Sequence, residues 1–393
     1  MNISTSNQDA LPVAVQYREA FQQWEAWWKG TNDGPILSIM FPRGEVDYRG
    51  VVKPWMSPLL HGQWTFYMHE FLFGQAVELA WRTGDFHYID DAAAFFLYYR
   101  QVTGYAGEAY PFLFLNTGAA MLPALLTNHT KFLGDTIWVG VEPPWTWEQI
   151  FAAEHAAITP YAATLQQAIT QMVRRMGEHF VLAPPELGGL LDVLSGLRGT
   201  QELLIDLLDE PDTVQRGIAM LDGLAEYWSA QFAAVIDPAN QGLFVDTFRY
   251  PSLQPMRVES CDFSAMISPA CFEEFYLPTL QRQAQKYAGR LAYHLDGPGQ
   301  LPHVGLLCAQ HGLQGVQWVY GAGNPDNLSD RWDCLYRQLL DAGKKIYFCS
   351  IPNDVDALRA FFRKFPARAF MIPMIVADQQ EAEAFLRLRD SLR

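Results

Sequence analysis

Positive charge is scarce in this sequence. Lys and Arg total 28 against 43 Asp and Glu, a formal net charge of −15 over 393 residues. No Lys/Arg cluster stands out. Binding a nucleic-acid backbone needs concentrated positive charge, so nucleic acid is not an expected partner. Long hydrophobic runs are missing too. No stretch reaches 18 uncharged apolar residues, so no membrane span is expected. The opening residues, MNISTSNQDALPVAV, lack the basic-then-apolar order of a secretory signal. Cysteine is sparse: Cys261, Cys271, Cys308, Cys334 and Cys349 are odd in number and form no C-x-x-C pair. A disulfide framework is therefore not expected, and a reducing, cytoplasmic setting is. Repeats, low-complexity runs, and the G-x-S-x-G, P-loop, H-E-x-x-H and EF-hand patterns are all absent. His61 and His69, and likewise His303 and His311, are spaced by eight. Helical zinc sites need a spacing of four.

What the chain has instead is apolar mass. Half of its residues are hydrophobic and 14% are aromatic, including 12 Trp. Such side chains fill cores and line pockets for organic ligands. Residues 15–30 (VQYREAFQQWEAWWKG) place Tyr17, Phe21, Trp24, Trp27 and Trp28 at helical spacing and stop near Gly30. Residues 62–82 and 88–101 predict further helices. Short apolar segments bounded by turn residues predict strands at 36–42, 136–140, 180–187, 242–247, 260–266, 290–296, 315–320, 344–350 and 369–375. Helices are expected between the later strands, at 268–288, 329–342, 353–365 and 378–392. Their starts at Ser268, Ser329, Asn353 and Asp378 are good N-caps. Strand alternating with helix favours a parallel sheet with helices outside it. The fold class expected is α/β, a (β/α)8 TIM barrel in one domain over 1–393, with extra N-terminal helices at about 1–60. The open doubly wound alternative normally carries a glycine-rich phosphate turn, which is absent.

In such folds the chemistry sits at the C-terminal ends of strands. Segment 290–296 ends in His294-Leu295-Asp296, whose polar members share one face because strand side chains alternate. Segment 258–264 offers Glu259, Cys261 and Asp262, while 315–320 ends in Gln317-Trp318-Val319-Tyr320. Cys349 closes a later strand. Glu186 opens the run Glu186-Leu187-Gly188-Gly189-Leu190-Leu191-Asp192, which leads to Arg198, a residue type suited to gripping a carboxylate. Each has a bland reading beside it: a core histidine, a helix cap, a buried thiol, a packed indole, an ion pair of Arg198 with Asp192 or Glu202.

Several of these stretches resemble the uroporphyrinogen decarboxylase-like superfamily. They are LDVLSGLRGTQELLIDLLDEPDTV (191–214), CDFSAMISPACFEEFYLP (261–278), YHLDGPGQLPH (293–303) and GVQWVYGAGNP (315–325), with a fainter match at DTIWVGVEPPWTWEQI (135–150). The resemblance spans roughly residues 15–390 and implies the barrel fold with its cleft at the strand C-termini. Two chemistries go with it. One is cofactor-free decarboxylation of a tetrapyrrole-like or aromatic carboxylate (a carboxy-lyase); the arginine-bearing N-terminal signature of that branch is reduced here to Met40-Phe41-Pro42-Arg43. The other is methyl transfer with a corrinoid protein or cobalamin as partner, at a zinc held by His-x-Cys and a later Cys. Here Asp296 stands where the first Cys would be, and the last strand offers Met374. The resemblance thus implies a methyltransferase, with a carboxy-lyase or an inactive small-molecule-binding homologue as alternatives. Catalytic candidates are His294, Asp296 and Asp262. Substrate-binding candidates are Arg198, Glu186, Gln317, Trp318 and Tyr320. The metal candidates are His294, Asp296, Cys261 and Cys349, with zinc as the ion. A small-molecule substrate and a homodimer complete the expectations.

Overall fold

The computed structural model describes residues 12–56, 71–119, 121–127, 130–132, 137–139, 141–155 and 158–393. Part of the expected helix 62–82, together with His61 and His69, lies outside those residues; its visible remainder is Leu72–Thr83.

The apolar run at 36–42 forms a strand at those bounds, Ile36–Pro42. It pairs in parallel with Phe370–Ile375, and Lys345–Phe348, Leu313–Val319, Leu291–Asp296 and Arg257–Ser260 follow in order, all parallel. An antiparallel strand, Thr103–Gly107, covers the other edge. The result is a mixed α/β fold around a seven-stranded, mostly parallel sheet. The expected eight-stranded ring is not closed by hydrogen bonds among the described residues. Phe112–Phe114 and Val181–Ala183 instead pair in parallel with each other as a separate ladder. Phe244–Val245 pairs antiparallel with Pro251–Ser252. Asp246 tethers this hairpin to the sheet edge, its Oδ2 accepting from the Val258 amide at 3.1 Å.

Other expectations shift. Segment 136–140 contributes only Ile137–Val139, in an antiparallel hairpin with Thr130–Phe132 away from the main sheet; residues 136 and 140 lie outside the described residues. The strand expected at 260–266 sits earlier, at Arg257–Ser260, and Asp262–Met266 is a 3-10 turn. Helix 268–288 breaks at Tyr276 into Pro269–Phe275 and Leu277–Lys286, because Pro278 has no N–H to continue the ladder. Within the span expected as a helical extension, Arg18–Lys29 is helical but Ile36–Pro42 is a sheet strand.

The sheet has two apolar faces, as a parallel sheet covered on both sides should. One packs against the helices through Tyr293, Leu295, Trp318 and Phe348. The other carries Val258, Ala292, Tyr347 and Met371 and is stopped at its lower end by the first long helix. Trp24, Trp27 and Trp28 of that helix are all at most 1% exposed. Trp24 Nε1 donates to the Glu108 carbonyl and Trp28 Nε1 to that of Pro251, each at 2.9 Å. Lys345 Nζ lies 4.8 Å from the Trp27 ring centroid, and Arg290 bonds Glu25 while lying over Trp28. Gly30 ends the helix at φ +72°, a left-handed cap that glycine adopts at little cost.

Candidate functional site

Register defines the site. His294 faces Gln317, Gln317 faces Tyr347, Tyr347 faces Met371, and Met371 faces Ile36. This row crosses five parallel strands on the face that holds the tryptophan helix. Two residues farther along, toward the strand C-termini, Asp296 pairs with Val319 and Ser38 with Pro373. The polar strand ends therefore stand above an aromatic floor.

His294, Asp296 and Asp262 converge there: each offers a ligand atom, and the three atoms lie within 4.8 Å of one another. The strand pleat brings His294 and Asp296 to one face. Asp262 reaches them from the turn after the neighbouring strand, Arg257–Ser260. Asp192 builds that turn, its carboxylate accepting from the backbone amides of Asp262 at 3.1 Å and Phe263 at 2.6 Å. Gly189 lets the helix bearing Asp192 come close. A Cβ there would sit 2.1 Å from the Ser260 carbonyl oxygen and 2.6 Å from Asp192 Oδ2. His294 Nδ1 meets Gln317 Oε1 at 2.5 Å. With the amide oxygen toward the ring, Nδ1 carries the proton and Nε2 presents its lone pair. Phe248 stacks on the imidazole at 4.6 Å between centroids, fixing the plane of the ring.

Carboxyls crowd this end of the sheet. Desolvation raises Asp262 above the ordinary range, with Asp296 adding to it and His294 opposing. Glu186 is pushed up to about 8, first by burial and then by Asp246, Asp262 and Asp192. Asp192 is pushed up to about 7 by burial and by Asp262. Two cavities open on either side of the Asp246–Arg249 turn. One, of about 320 Å³, is lined by Glu186, Asp246, Phe248, Arg257 and Glu259. The other, of about 250 Å³, includes Ser38, Phe112, Arg249, Cys349 and Pro373 in its wall.

The remaining candidates divide. Gln317 bonds His294, and Glu186 lines the larger cavity. Tyr320 packs half-buried against the core beyond the strand end. Trp318 is fully buried against Trp332 on the opposite face of the sheet; strand alternation sends neighbours Gln317 and Trp318 to different faces. Arg198 is engaged by Asp206 at 2.7 Å and by the Trp145 carbonyl, and none of the three lines either cavity. Its ion pair is thus with Asp206, not Asp192 or Glu202. The ligand set changes as well: Asp262 joins His294 and Asp296, and neither Cys261 nor Cys349 falls within the group. Cys261 is wholly buried, its thiol held well above its usual range by desolvation. Cys349 lines the smaller cavity, its thiol likewise raised by burial. His303 is a core residue, Nε2 bonding the Ser264 carbonyl at 2.8 Å, and His311 is exposed. Sequence reasoning passed over Phe248, Asp192 as the builder of the Asp262 turn, and Arg249. The end of the strand in GLFVDTFRY was the available signal for Phe248 and Arg249.

The chain shares its fold with a methyltransferase from Methanosarcina mazei. The two superpose with a TM-score of 0.53 at 14% identity, covering 95% of this chain and 98% of that one. Identity that low establishes the fold alone. A scan against protein-family models finds no match, and a search of curated proteins finds none.

Proposed function

We propose that the protein is a methyltransferase of uroporphyrinogen decarboxylase-like, (β/α)8 architecture, acting on a small molecule at His294, Asp262 and Asp296. The supporting observation is the convergence of these three donors at adjacent parallel strand ends, where this kind of fold keeps its active sites.

The donor set fits a divalent cation. One imidazole nitrogen and two carboxylates suit zinc and harder ions alike, and the imidazole is already oriented by a partner on its other nitrogen, the usual arrangement for a metal-bound histidine. Without thiolates, the set is more oxygen-rich than His-x-Cys zinc. His294 Nε2 and the carboxylates of Asp262 and Asp296 would hold the ion, which would supply Lewis-acid polarisation to a substrate heteroatom. The chain's own residues do the rest. Gln317 and Phe248 fix the imidazole, Asp192 fixes the loop that delivers Asp262, and Glu186, with its raised pKa, keeps a proton at neutral pH beside the larger cavity. The methyl partner in this reading is a corrinoid protein or free cobalamin, and the setting is cytoplasmic.

Metal content after zinc-supplemented expression tests the centre, together with methylation of cob(I)alamin followed by absorbance. We expect about one ion per chain in the wild type, lost in His294→Ala. Wild-type protein without metal would overturn the centre. Carbon dioxide release from uroporphyrinogen, without methyl transfer, would replace the reading with a carboxy-lyase. Ligand binding without turnover would leave an inactive homologue.

A further inference from the structure

The larger cavity holds more acid than its own cations offset. It lies where the ring of strand hydrogen bonds is open, its wall joining Leu182 on one side to Val258 on the other. Asn240, just past the helix Pro211–Ile236, ties that helix to the first of these strands, bonding both the amide and the carbonyl of Leu182 at 2.9 Å. Five carboxyl side chains line the cavity, from Glu186, Glu226, Asp237, Asp246 and Glu259, against two cations, Arg257 and Lys286. Both cations are spoken for: Arg257 Nε donates to Glu259 at 3.0 Å, and Lys286 donates to Glu226. Glu186, Asp237 and Asp246 are left without an ion pair.

Asp246 is held by neutral donors, the Val258 amide at 3.1 Å and the Thr247 hydroxyl at 2.8 Å. Among the described residues, nothing donates to the carboxyl of Glu186 or of Asp237, and burial is the largest influence on both. Leaving a buried carboxyl without a donor is costly. The backbone nevertheless holds Glu186 in place. Pro184 and Pro185 precede it with their φ locked, and its carbonyl accepts from the Met121 amide at 3.0 Å. Beyond the carboxyls, four rings line the cavity, those of Phe232, Phe244, Phe248 and Tyr287. Ring faces are electron-rich and attract organic cations. Unpaired acid and aromatic wall thus call for the same ligand chemistry. A bare inorganic ion would satisfy the carboxyls and gain little from the apolar wall.

We propose that this cavity binds a small organic ammonium ion, with its charge against Glu186 and Asp246 and its carbon chain against the aromatic wall. Phe248 both lines the cavity and stacks on His294, so the ligand rests one ring away from the three-donor centre. That the ammonium compound is the substrate rests on the active-site reading above; that it binds rests on the cavity alone.

Calorimetric titration of the wild-type protein with n-butylammonium chloride and, separately, with its neutral counterpart n-butanol is the direct test. It is run at about pH 9, where Glu186 has released its proton. We expect the ammonium to bind about tenfold more tightly or better, the worth of one hydrogen bond to a charged group. The preference should shrink or vanish in Glu186→Gln. Equal affinity for the two probes, or no saturable binding of butylammonium, overturns the assignment in the wild type alone, whether or not the variant folds. Displacement of butylammonium by an equal concentration of potassium overturns it too, because the wall would then confer no selectivity. An unchanged preference in Glu186→Gln does the same. His294→Ala separates the two claims, because it should lose the metal and keep the preference. A metal-free wild type that still discriminates the probes sinks the centre and spares the ammonium site.

Discussion

His294 turns one ring nitrogen, Nδ1, to Gln317, and the ring lies beside the carboxylates of Asp262 and Asp296. In the proposed function, Gln317 acts on the centre through the ring. At the proposed centre, replacing it with alanine should weaken metal affinity about 10–100-fold, measured by competition with a chelator, with occupancy recovered at saturating ion. Asp192 works one step farther back. In Asp192→Ala the amides of Asp262 and Phe263 lose their acceptor. The expected cost is about 1–3 kcal/mol, read from urea unfolding, together with loss of metal affinity. At this scale the sequence was informative where periodicity speaks. His294 and Asp296 share a face because they are two apart on a strand, and that follows from spacing alone. Trp318 shows the limit of the same rule. Once Gln317 faces the site, the pleat sends its neighbour away, so both could not bind substrate. Arg198 was ambiguous because its partner, Asp206, is one helix on, and several carboxylates lay within reach in the chain.

The aromatic helix Arg18–Lys29 makes the clearest prediction at the level of elements. Trp27 is 0% exposed and lies among Trp24, Trp28 and Tyr250. Trp27→Ala should cost about 3–5 kcal/mol, seen as a lower urea midpoint by circular dichroism. If the midpoint does not move, the helix is not the floor of the site. The stripe of aromatics and Gly30 made this helix visible in advance. Ile36–Pro42 and Leu291–Asp296 were visible because they are continuous apolar runs. Arg257–Ser260 was masked by its own charges: Arg257 Nε donates to Glu259 at 3.0 Å, so a strand that satisfies its ions internally does not look apolar. Thr103–Gly107 was masked by glycine. Gly104 lies where a Cβ would meet the Phe41 ring at 2.3 Å, and Gly107 has φ +63°. Both glycines serve close packing against Ile36–Pro42, yet in the sequence they look like turn signals.

For the whole molecule, the clustered acids govern the pH response. Glu186 has its pKa raised from 4.5 to about 8. Between those values the native protein keeps a proton that the unfolded chain has released. Stability must therefore fall as pH rises through that window and level off above it. Asp192, raised to about 7, adds to the same trend. Glu186→Gln should flatten the loss, and urea midpoints taken from pH 4.5 to 8.5 would show it. Parallel slopes in the variant and the wild type would exclude Glu186 as the cause. The overall acidity of the chain was legible from composition. This cluster was not, because Glu186, Asp192, Asp246 and Asp262 come together only through the fold.

The tryptophan floor also orders events during synthesis. The helix that carries it is synthesised well before Pro251, Arg290 and Lys345, which complete its surroundings. For most of translation three indole rings wait without their final partners, and exposed apolar surface of that kind is what chaperones bind and aggregates form from. These rings therefore stay vulnerable until the segments bearing Pro251, Arg290 and Lys345 have been translated.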